Sequence, residues 1–242
     1  MKTVFIDASP KKKLSASGFI AGMTRFFTSG KKVQCKLRTP ADYQPVLEQI
    51  QDADSVVFSM PLYVDGVPSH VLPFLKELEA AYKGTNSGKR IYVIANNGFI
   101  EGRQNEPLMR VMENFSDRAG FTWCGGLGIG GGVMMNVMRI LICVFFCGTL
   151  VQMALNSFNL SYLKDFGFDV LGVLFFGSGI ICYDIALARH ISRGKDYGKK
   201  YTRIMVPSFI FIVFADLFFT ITSLFQGGMF RGWLSRKCAH QQ

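Results

Sequence analysis

The stretch Lys2-Thr-Val-Phe-Ile-Asp7, followed by Ala8-Ser-Pro-Lys-Lys-Lys-Leu-Ser-Ala-Ser17, decides the fold of this chain. Its first half predicts a short buried strand that ends in an acid, and its second half predicts a loop rich in serine and lysine. The helical spacing of apolar residues over 18–28 then predicts a helix directly after the loop. A strand, a polar loop and a helix in this order are typical of a parallel α/β sheet.

The same alternation recurs along the first half of the chain. Further strands are predicted at 33–37, 55–59, 90–95 and 121–124, and further helices at 43–51, 69–82 and 106–119. This pattern predicts a five-stranded parallel sheet with helices on both faces. Ligands of such sheets bind beyond the carboxyl ends of the strands, so the loops that follow the strands are the candidate site.

The chain changes character near Gly132, after the glycine-rich run Gly125–Gly132. We interpret this run as a flexible joint or a loop beside a cofactor, because its formal match to a dinucleotide fingerprint is followed by an apolar stretch with no acid at the expected spacing. Apolar stretches follow at about 134–155, 168–188 and 204–225, each near the length of a transmembrane helix. The sequence therefore predicts a domain at 1–132 and an all-α membrane region at 133–242 with two to three transmembrane helices.

Charge indicates where such a chain would lie. The net charge is +10, and the segment 189–203 is rich in lysine and arginine, which places it on the cytoplasmic side. With no signal peptide visible, we expect a multi-pass protein of the cell membrane whose N-terminal domain lies in the cytoplasm. The excess positive charge favours anionic lipids over nucleic acid as the partner. Scattered cysteines and histidines predict no metal site.

Two acids stand out in the apolar stretches. Asp184 lies one turn before the basic segment, where an ion pair with Arg189 is the simplest expectation. Asp216 falls in the middle of the third stretch, and a hydrogen bond between helices is the plain interpretation. A proton or ion path at Asp216 is the alternative.

The first loop has the composition of a phosphate site. A helix N-terminus offers free amides and a partial positive charge, to which Ser9, Ser15 and Ser17 add hydroxyl groups and Lys11 adds a charge. The plain alternative is that Ser15 or Ser17 only caps the helix while the lysines are solvated.

Three motifs, each after a predicted strand, resemble one known family. They are Ser9-Pro10-Lys11 with Ser15 and Ser17, then Ser59–Tyr63 with Val67-Pro68 and Phe74-Leu75-Lys76, and then the segment 97–105. Together they are similar to the signatures of flavodoxin-fold NAD(P)H-dependent FMN reductases over residues 1–132. Ala8 and Leu14 depart from the family pattern, which has smaller residues at these positions.

The resemblance implies a cofactor and a set of site residues. Ser9, Lys11, Ser15 and Ser17 would hold the phosphate of FMN; Pro61, Leu62 and Tyr63 would pack on its ring and supply backbone donors; Asn97, Gly98 and Phe99 would flank the ring. NADH or NADPH would be the electron donor. No catalytic side chain is implied, since N5 of the flavin carries the chemistry. The family also implies a homodimer.

These expectations give two hypotheses for function. The first is a membrane-anchored flavoprotein oxidoreductase that takes hydride from NAD(P)H and passes electrons to a small acceptor such as a quinone. The alternative is a non-catalytic flavodoxin-like module with a sensing or assembly role at the membrane. Cofactor content distinguishes the two.

Overall fold

The chain folds around a parallel β-sheet, seen in a computed structural model that describes residues 1–12, 15–85, 87–155, 161–204 and 208–225. The strands are β1 (Lys2–Asp7), β2 (Lys31–Lys36), β3 (Ser55–Pro61), β4 (Arg90–Asn96), β5 (Thr122–Ile129) and β6 (Gly198–Tyr201). Their order is β2-β1-β3-β4-β5-β6, and every neighbouring pair is parallel. The order 2-1-3-4-5 is that of flavodoxin-like folds, with the switch point between β1 and β3.

Helices cover both faces of this sheet. They are α1 (Ala16–Phe27), α2 (Tyr43–Gln51), α3 (Val71–Tyr82), α4 (Glu106–Ala119), α5 (Gly132–Leu155) and α6 (Ser161–Arg193). Buried residues of α2, α3 and α4 pack in one apolar core, and those of α1, α6 and the start of α5 pack in the other. The predicted helix bounds agree for α2 and α4, where α4 ends at Gly120 in a left-handed conformation with φ 73°.

The sheet has six strands where the sequence predicts five. The additional strand β6 pairs with β5 and is fixed by contacts to α4. The Tyr201 hydroxyl contacts the Glu106 carboxylate, and Lys199 Nζ lies 2.6 Å from Glu113 Oε2. The sequence Gly-Lys-Lys-Tyr has no apolar alternation, so the strand depends on its pairing with β5 and on these contacts to α4.

The glycine-rich run is a buried strand and not a flexible joint. Residues 125–129 belong to β5, which pairs with β4 on one side and with β6 on the other. Glycine lets neighbouring backbone approach closely here: a Cβ atom at Gly126 would lie 2.4 Å from the Val93 carbonyl oxygen.

The first compact unit runs from Met1 to Ile204, so the predicted division at residue 132 falls inside it. The C-terminal half of α6 is part of the sheet domain, because Ile180, Leu187 and Ile191 are buried in the same core as α1. That half overlaps the stretch 168–188, which the sequence predicts as a membrane span.

Among the residues described, no helix combines the length and apolar character needed to cross a bilayer. The predicted spans at 134–155, 168–188 and 204–225 are therefore not supported by the structure. In the second unit, Met205–Gln242, the described part is one helix, α7 (Ser208–Phe225), on which Asp216 is exposed.

Candidate functional site

Three loops meet at the carboxyl edge of the sheet and form a cleft of about 120 Å³. They follow β1, β3 and β4, which are neighbours in the sheet. The cleft is lined by Ser9, Lys11, Ala16, Ser17, Pro61, Leu62, Tyr63, Asn96, Asn97 and Gly98. Of the residues predicted from the sequence, only Ser15 and Phe99 do not line it. The cleft lies beside the switch point, where ligands of this fold class bind.

The first loop ends at the N-terminus of α1, where Ser15 is the cap. The Ser15 hydroxyl accepts the Gly18 amide at 2.9 Å, as the plain alternative predicts. The amides of Ala16 and Ser17 have no partner within the described part of the chain. The departure at Leu14 lies outside the described residues, and Ala8 is buried in the core and does not line the cleft.

Ser17 connects the first loop to the third. Its side chain is buried and donates a hydrogen bond of 2.6 Å to Asn96 Oδ1 at the end of β4. The Ser59 hydroxyl on β3 donates to the Ser17 carbonyl at 2.8 Å. Ser17 therefore holds the start of α1 against β3 and β4, and its hydroxyl hydrogen is already used.

A buried acid and an arginine lie beneath the first loop. Asp7 Oδ1 accepts the Ser9 amide at 3.2 Å, and Asp7 Oδ2 lies 3.2 Å from the Arg38 guanidinium. Arg38 Nε also donates to the Ser9 carbonyl at 2.9 Å. Burial raises the pKa of Asp7, while the Ser9 amide and Arg38 oppose this shift. Arg38 thus offsets a negative charge that would otherwise repel an anion near this helix N-terminus.

The second loop closes on itself in a tight turn. Tyr63 and Gly66 exchange two backbone hydrogen bonds, of 3.2 and 3.0 Å, and the Leu62 amide donates to the Asn96 carbonyl at 2.8 Å. The amides of Leu62 and Tyr63 are therefore not available to a ligand, contrary to the expectation that this loop supplies backbone donors. Tyr63 remains exposed at the rim of the cleft.

Val64 and Asp65, at the tip of this turn, have φ values of 46° and 55°. A β-branched residue in the left-handed region is strained, typically by about 1–3 kcal/mol, and asparagine tolerates it better. We expect Val64→Asn to raise the free energy of unfolding by about 1 kcal/mol in urea denaturation. Leu72→Asn, at an exposed apolar residue of α3, is the control and should not raise the free energy of unfolding. A loss of stability in Val64→Asn would contradict the assignment of strain.

The third loop is held rigid by the end of β5. The Asn97 side chain donates to the Glu101 carbonyl and accepts the Phe99 amide, both at 3.0 Å. The Gly131 and Gly132 amides donate to the carbonyls of Phe99 and Asn97 at 2.6 and 2.7 Å. The Phe99 ring, next in the chain to Gly98 of the cleft, is exposed.

The donors and walls of this cleft fit a phosphate-bearing flavin. At one end are the Lys11 side chain and the amides of Ala16 and Ser17, which have no partner among the described residues; this set suits a phosphate. At the other end Pro61 and Leu62 form an apolar wall. Most ligand pockets are larger, at about 300–1,000 Å³, so a flavin ring would have to lie over the rim, beside Tyr63 and Phe99.

Four residues of the site are absent from the sequence prediction, namely Asp7, Ala16, Arg38 and Asn96. Asp7 was visible as an acid at the end of a buried strand, which is an unusual position for a charge. Asn96 lies one residue before the third predicted motif, the segment 97–105. Arg38 gives no sequence signal, because its role depends on contacts with residues about thirty positions earlier in the chain.

Comparison with known proteins finds solved structures that resemble this chain. No family model and no curated protein matches its sequence. One similar structure is the Trp repressor binding protein from Bacillus subtilis, which shares 18% sequence identity with this chain. The match covers 53% of this chain and 84% of that chain, with a TM-score of 0.45. The NAD(P)H:quinone oxidoreductase from Methanothermobacter marburgensis shares 17% identity. The match covers 57% of this chain and 92% of that chain, with a TM-score of 0.45. An NADPH-quinone reductase from P. pentosaceus shares 15% identity. The match covers 52% of this chain and 83% of that chain, with a TM-score of 0.42.

Proposed function

We propose that this chain is a flavin-dependent oxidoreductase that binds FMN at the carboxyl edge of its sheet. The observation that carries the proposal is the convergence of three loops on one cleft, with a phosphate-type donor set at one end and an apolar wall at the other. When bound, the flavin would supply hydride transfer from NADH or NADPH and onward electron transfer to a small acceptor such as a quinone.

The polar end of the cleft would bind the phosphate. The amides of Ala16 and Ser17, without a partner among the described residues, lie at the positive end of the α1 dipole, and the exposed Lys11 adds a charge. Ser9 and Ser15 already accept hydrogen bonds from the amides of Lys11 and Gly18, so each hydroxyl still has its hydrogen to donate. Arg38 keeps Asp7 neutralised beneath them.

The apolar end would orient the ring. Pro61 and Leu62 offer a flat wall, and the exposed rings of Tyr63 and Phe99 can cover the other side and exclude water. The Gly98 amide has no partner among the described residues, so it is the backbone donor best placed for a ring carbonyl or N5.

A non-catalytic flavodoxin-like module is the second candidate. Two observations favour it: the small volume of the cleft, and the internal hydrogen bonds that use the Leu62 and Tyr63 amides. A module of this kind would keep the fold without admitting a flavin.

The absorbance spectrum of the purified full chain distinguishes the two candidates. We expect flavin bands, either on purification or after addition of FMN and removal of the excess, and bleaching of these bands by NADH or NADPH. A colourless protein that does not retain added FMN would contradict the proposal and favour the module.

Lys11→Glu should weaken FMN binding about tenfold, because reversing a charge near a phosphate costs about 1–2 kcal/mol when solvent screens it. Binding is measured by quenching of flavin fluorescence, with riboflavin in parallel. Riboflavin has no phosphate, so its affinity should not change. Lys12→Glu alters an adjacent exposed lysine that does not line the cleft, and it is the matched control. An equal effect on FMN and riboflavin would place the phosphate elsewhere.

A further inference from the structure

A buried carboxylate lies beside the polar end of the cleft. Asp7 ends β1 and is almost fully buried, which is rare for an acid unless it is paired. A Cβ atom added at Gly18 would lie 2.7 Å from Asp7 Oδ2 and 3.4 Å from the Ser15 hydroxyl. The carboxylate therefore lies against the first turn of α1, which also carries the amides of Ala16 and Ser17. An acid in this place shares the helix N-terminus with any anion in the cleft.

Arg38 supplies the charge that compensates this acid. Its guanidinium lies 3.2 Å from Asp7 Oδ2, and its Nε donates to the Ser9 carbonyl at 2.9 Å. Lys36, the register partner of Asp7 on β2, adds a smaller attraction. The first turn of α1 contains no acidic residue, and the register partner of Asp7 on β3 is the uncharged Ser59. Asp7 and Arg38 therefore form an ion pair without net charge under the first loop.

A proton on Asp7 changes this charge balance. The neutral acid leaves the Arg38 guanidinium uncompensated, so the pair gains a net positive charge beside the start of α1. Burial raises the pKa of Asp7, although the Ser9 amide and Arg38 oppose the shift. Negative charge in the cleft raises this pKa further, because it repels the carboxylate and not the neutral acid. The other charges described in the first loop, Lys11 and Lys12, are exposed to solvent.

We propose that binding of a phosphate group in the cleft is coupled to uptake of a proton from solvent by Asp7, so that the Asp7–Arg38 pair sets how tightly the phosphate binds at each pH. This inference rests on the proposed function, which places the phosphate at the start of α1. The coupling is reciprocal: a phosphate that favours the protonated acid also binds more tightly when the acid is protonated. Asp7 does not line the cleft, so it acts through the charge of the pair and not through contact with the ligand.

Asp7→Asn imitates the protonated acid, because the amide is neutral and keeps an oxygen that accepts the Ser9 amide. We expect Asp7→Asn to bind FMN about tenfold more tightly than the parent chain near pH 8, where the parent acid is ionised. As the pH falls towards about 4, the parent acid takes up its proton and this advantage should disappear. The FMN phosphate also titrates, with a pKa of about 6, but this affects both chains alike and cancels in the ratio of their affinities.

Quenching of flavin fluorescence across this pH range measures the affinities of the full chain and its variants. Riboflavin, measured in parallel, has no phosphate, so its affinity should not differ between the parent and Asp7→Asn. Asp117→Asn removes an exposed acid from α4; it is the matched control and should bind FMN like the parent at every pH. Calorimetry in two buffers of different ionisation enthalpy counts the protons directly. The parent should take up more protons on binding FMN than Asp7→Asn does.

The double variant Asp7→Asn/Arg38→Gln provides a second test if the single variant does not fold. It removes both charges of the pair, so it should bind FMN like the parent near pH 8 and more weakly than the parent towards pH 4. Affinity ratios that stay constant with pH in both comparisons would overturn this inference and leave the proposed function intact. An equal change for riboflavin would overturn it as well. If no chain binds FMN at any pH, the proposed function fails, and this inference fails with it.

Discussion

Replacing Asp184 by asparagine is expected to raise the free energy of unfolding by about 3 kcal/mol near pH 8 and to change it little near pH 4. Asp184 is fully buried on α6 and does not pair with Arg189 as the sequence suggests. Its Oδ1 atom lies 2.5 Å from the Thr24 hydroxyl of α1, and its Oδ2 atom has no hydrogen-bond partner among the described residues. Burial raises the pKa of Asp184 from 3.8 to about 7, and the Thr24 contact opposes this shift.

The hydrogen bonds of Thr24 indicate where the proton lies. Its hydroxyl also contacts the Ile20 carbonyl at 2.9 Å, and a single hydroxyl hydrogen serves one acceptor. If that hydrogen goes to Ile20, the bond to Asp184 needs a proton from the carboxyl group itself. The contact therefore suits the protonated acid, and an asparagine amide can donate in the same way.

The sign of the pH dependence follows from the raised pKa. Below about pH 3 the carboxyl group is protonated in both the folded and the unfolded chain, so Asp184 does not cost stability. As the pH rises from about 4 to about 7, the unfolded chain releases the proton first, and stability falls by up to about 1.4 kcal/mol per pH unit. Above about pH 8 the full cost of about 4 kcal/mol is present.

Urea denaturation of the parent chain and Asp184→Asn at several pH values measures this difference. Asp169→Asn, which removes an exposed acid from the same helix, is the control and should follow the parent at every pH. A difference between parent and Asp184→Asn that does not grow between about pH 4 and pH 8 would show that Asp184 is ionised and accommodated in the fold.

The N-terminal half of the fold is predictable because its signals are local. Apolar strands, the cap at Ser15 and the left-handed Gly120 each depend on residues within a few positions of one another. The candidate site follows from the same signals, since parallel strands bring their terminal loops to one edge of the sheet. The prediction could not show that the loop amides of Leu62 and Tyr63 would be used internally, because Asn96 and Gly66 accept them only in the folded chain.

The C-terminal half is less predictable because hydropathy does not identify what covers an apolar helix. The segment 168–188 reads as one apolar stretch, but its two ends differ in the structure. Phe168 on the N-terminal half of α6 is exposed, whereas Leu187 is fully buried against the sheet. An apolar core and a lipid layer select the same residue types, so only the tertiary contacts of α6 separate the two.

Gly126→Ala is expected to lower the free energy of unfolding by about 3 kcal/mol or more, through overpacking in the centre of β5. Its added Cβ atom would lie 2.4 Å from the Val93 carbonyl oxygen on β4 and 2.9 Å from Met109 Sδ on α4. The methionine side chain can move aside, but the Val93 carbonyl belongs to a central strand and cannot. The double variant Gly126→Ala/Met109→Ala should therefore not recover the stability that Gly126→Ala loses.

Gly22→Ala is the matched control for this prediction. Gly22 lies on α1, and a Cβ atom added there would have no described atom within 4 Å apart from its chain neighbours and the backbone of its own helix. Alanine should therefore raise the free energy of unfolding by about 0.5–1 kcal/mol through helix propensity. Urea denaturation compares the three variants with the parent chain.

The experiment decides between two interpretations of the glycine run. In a flexible joint, alanine at Gly126 would be tolerated or mildly stabilising, because it restricts only the unfolded chain. In a buried strand between β4 and β6, the same methyl group has no space, and the loss of stability measures how closely the strands approach.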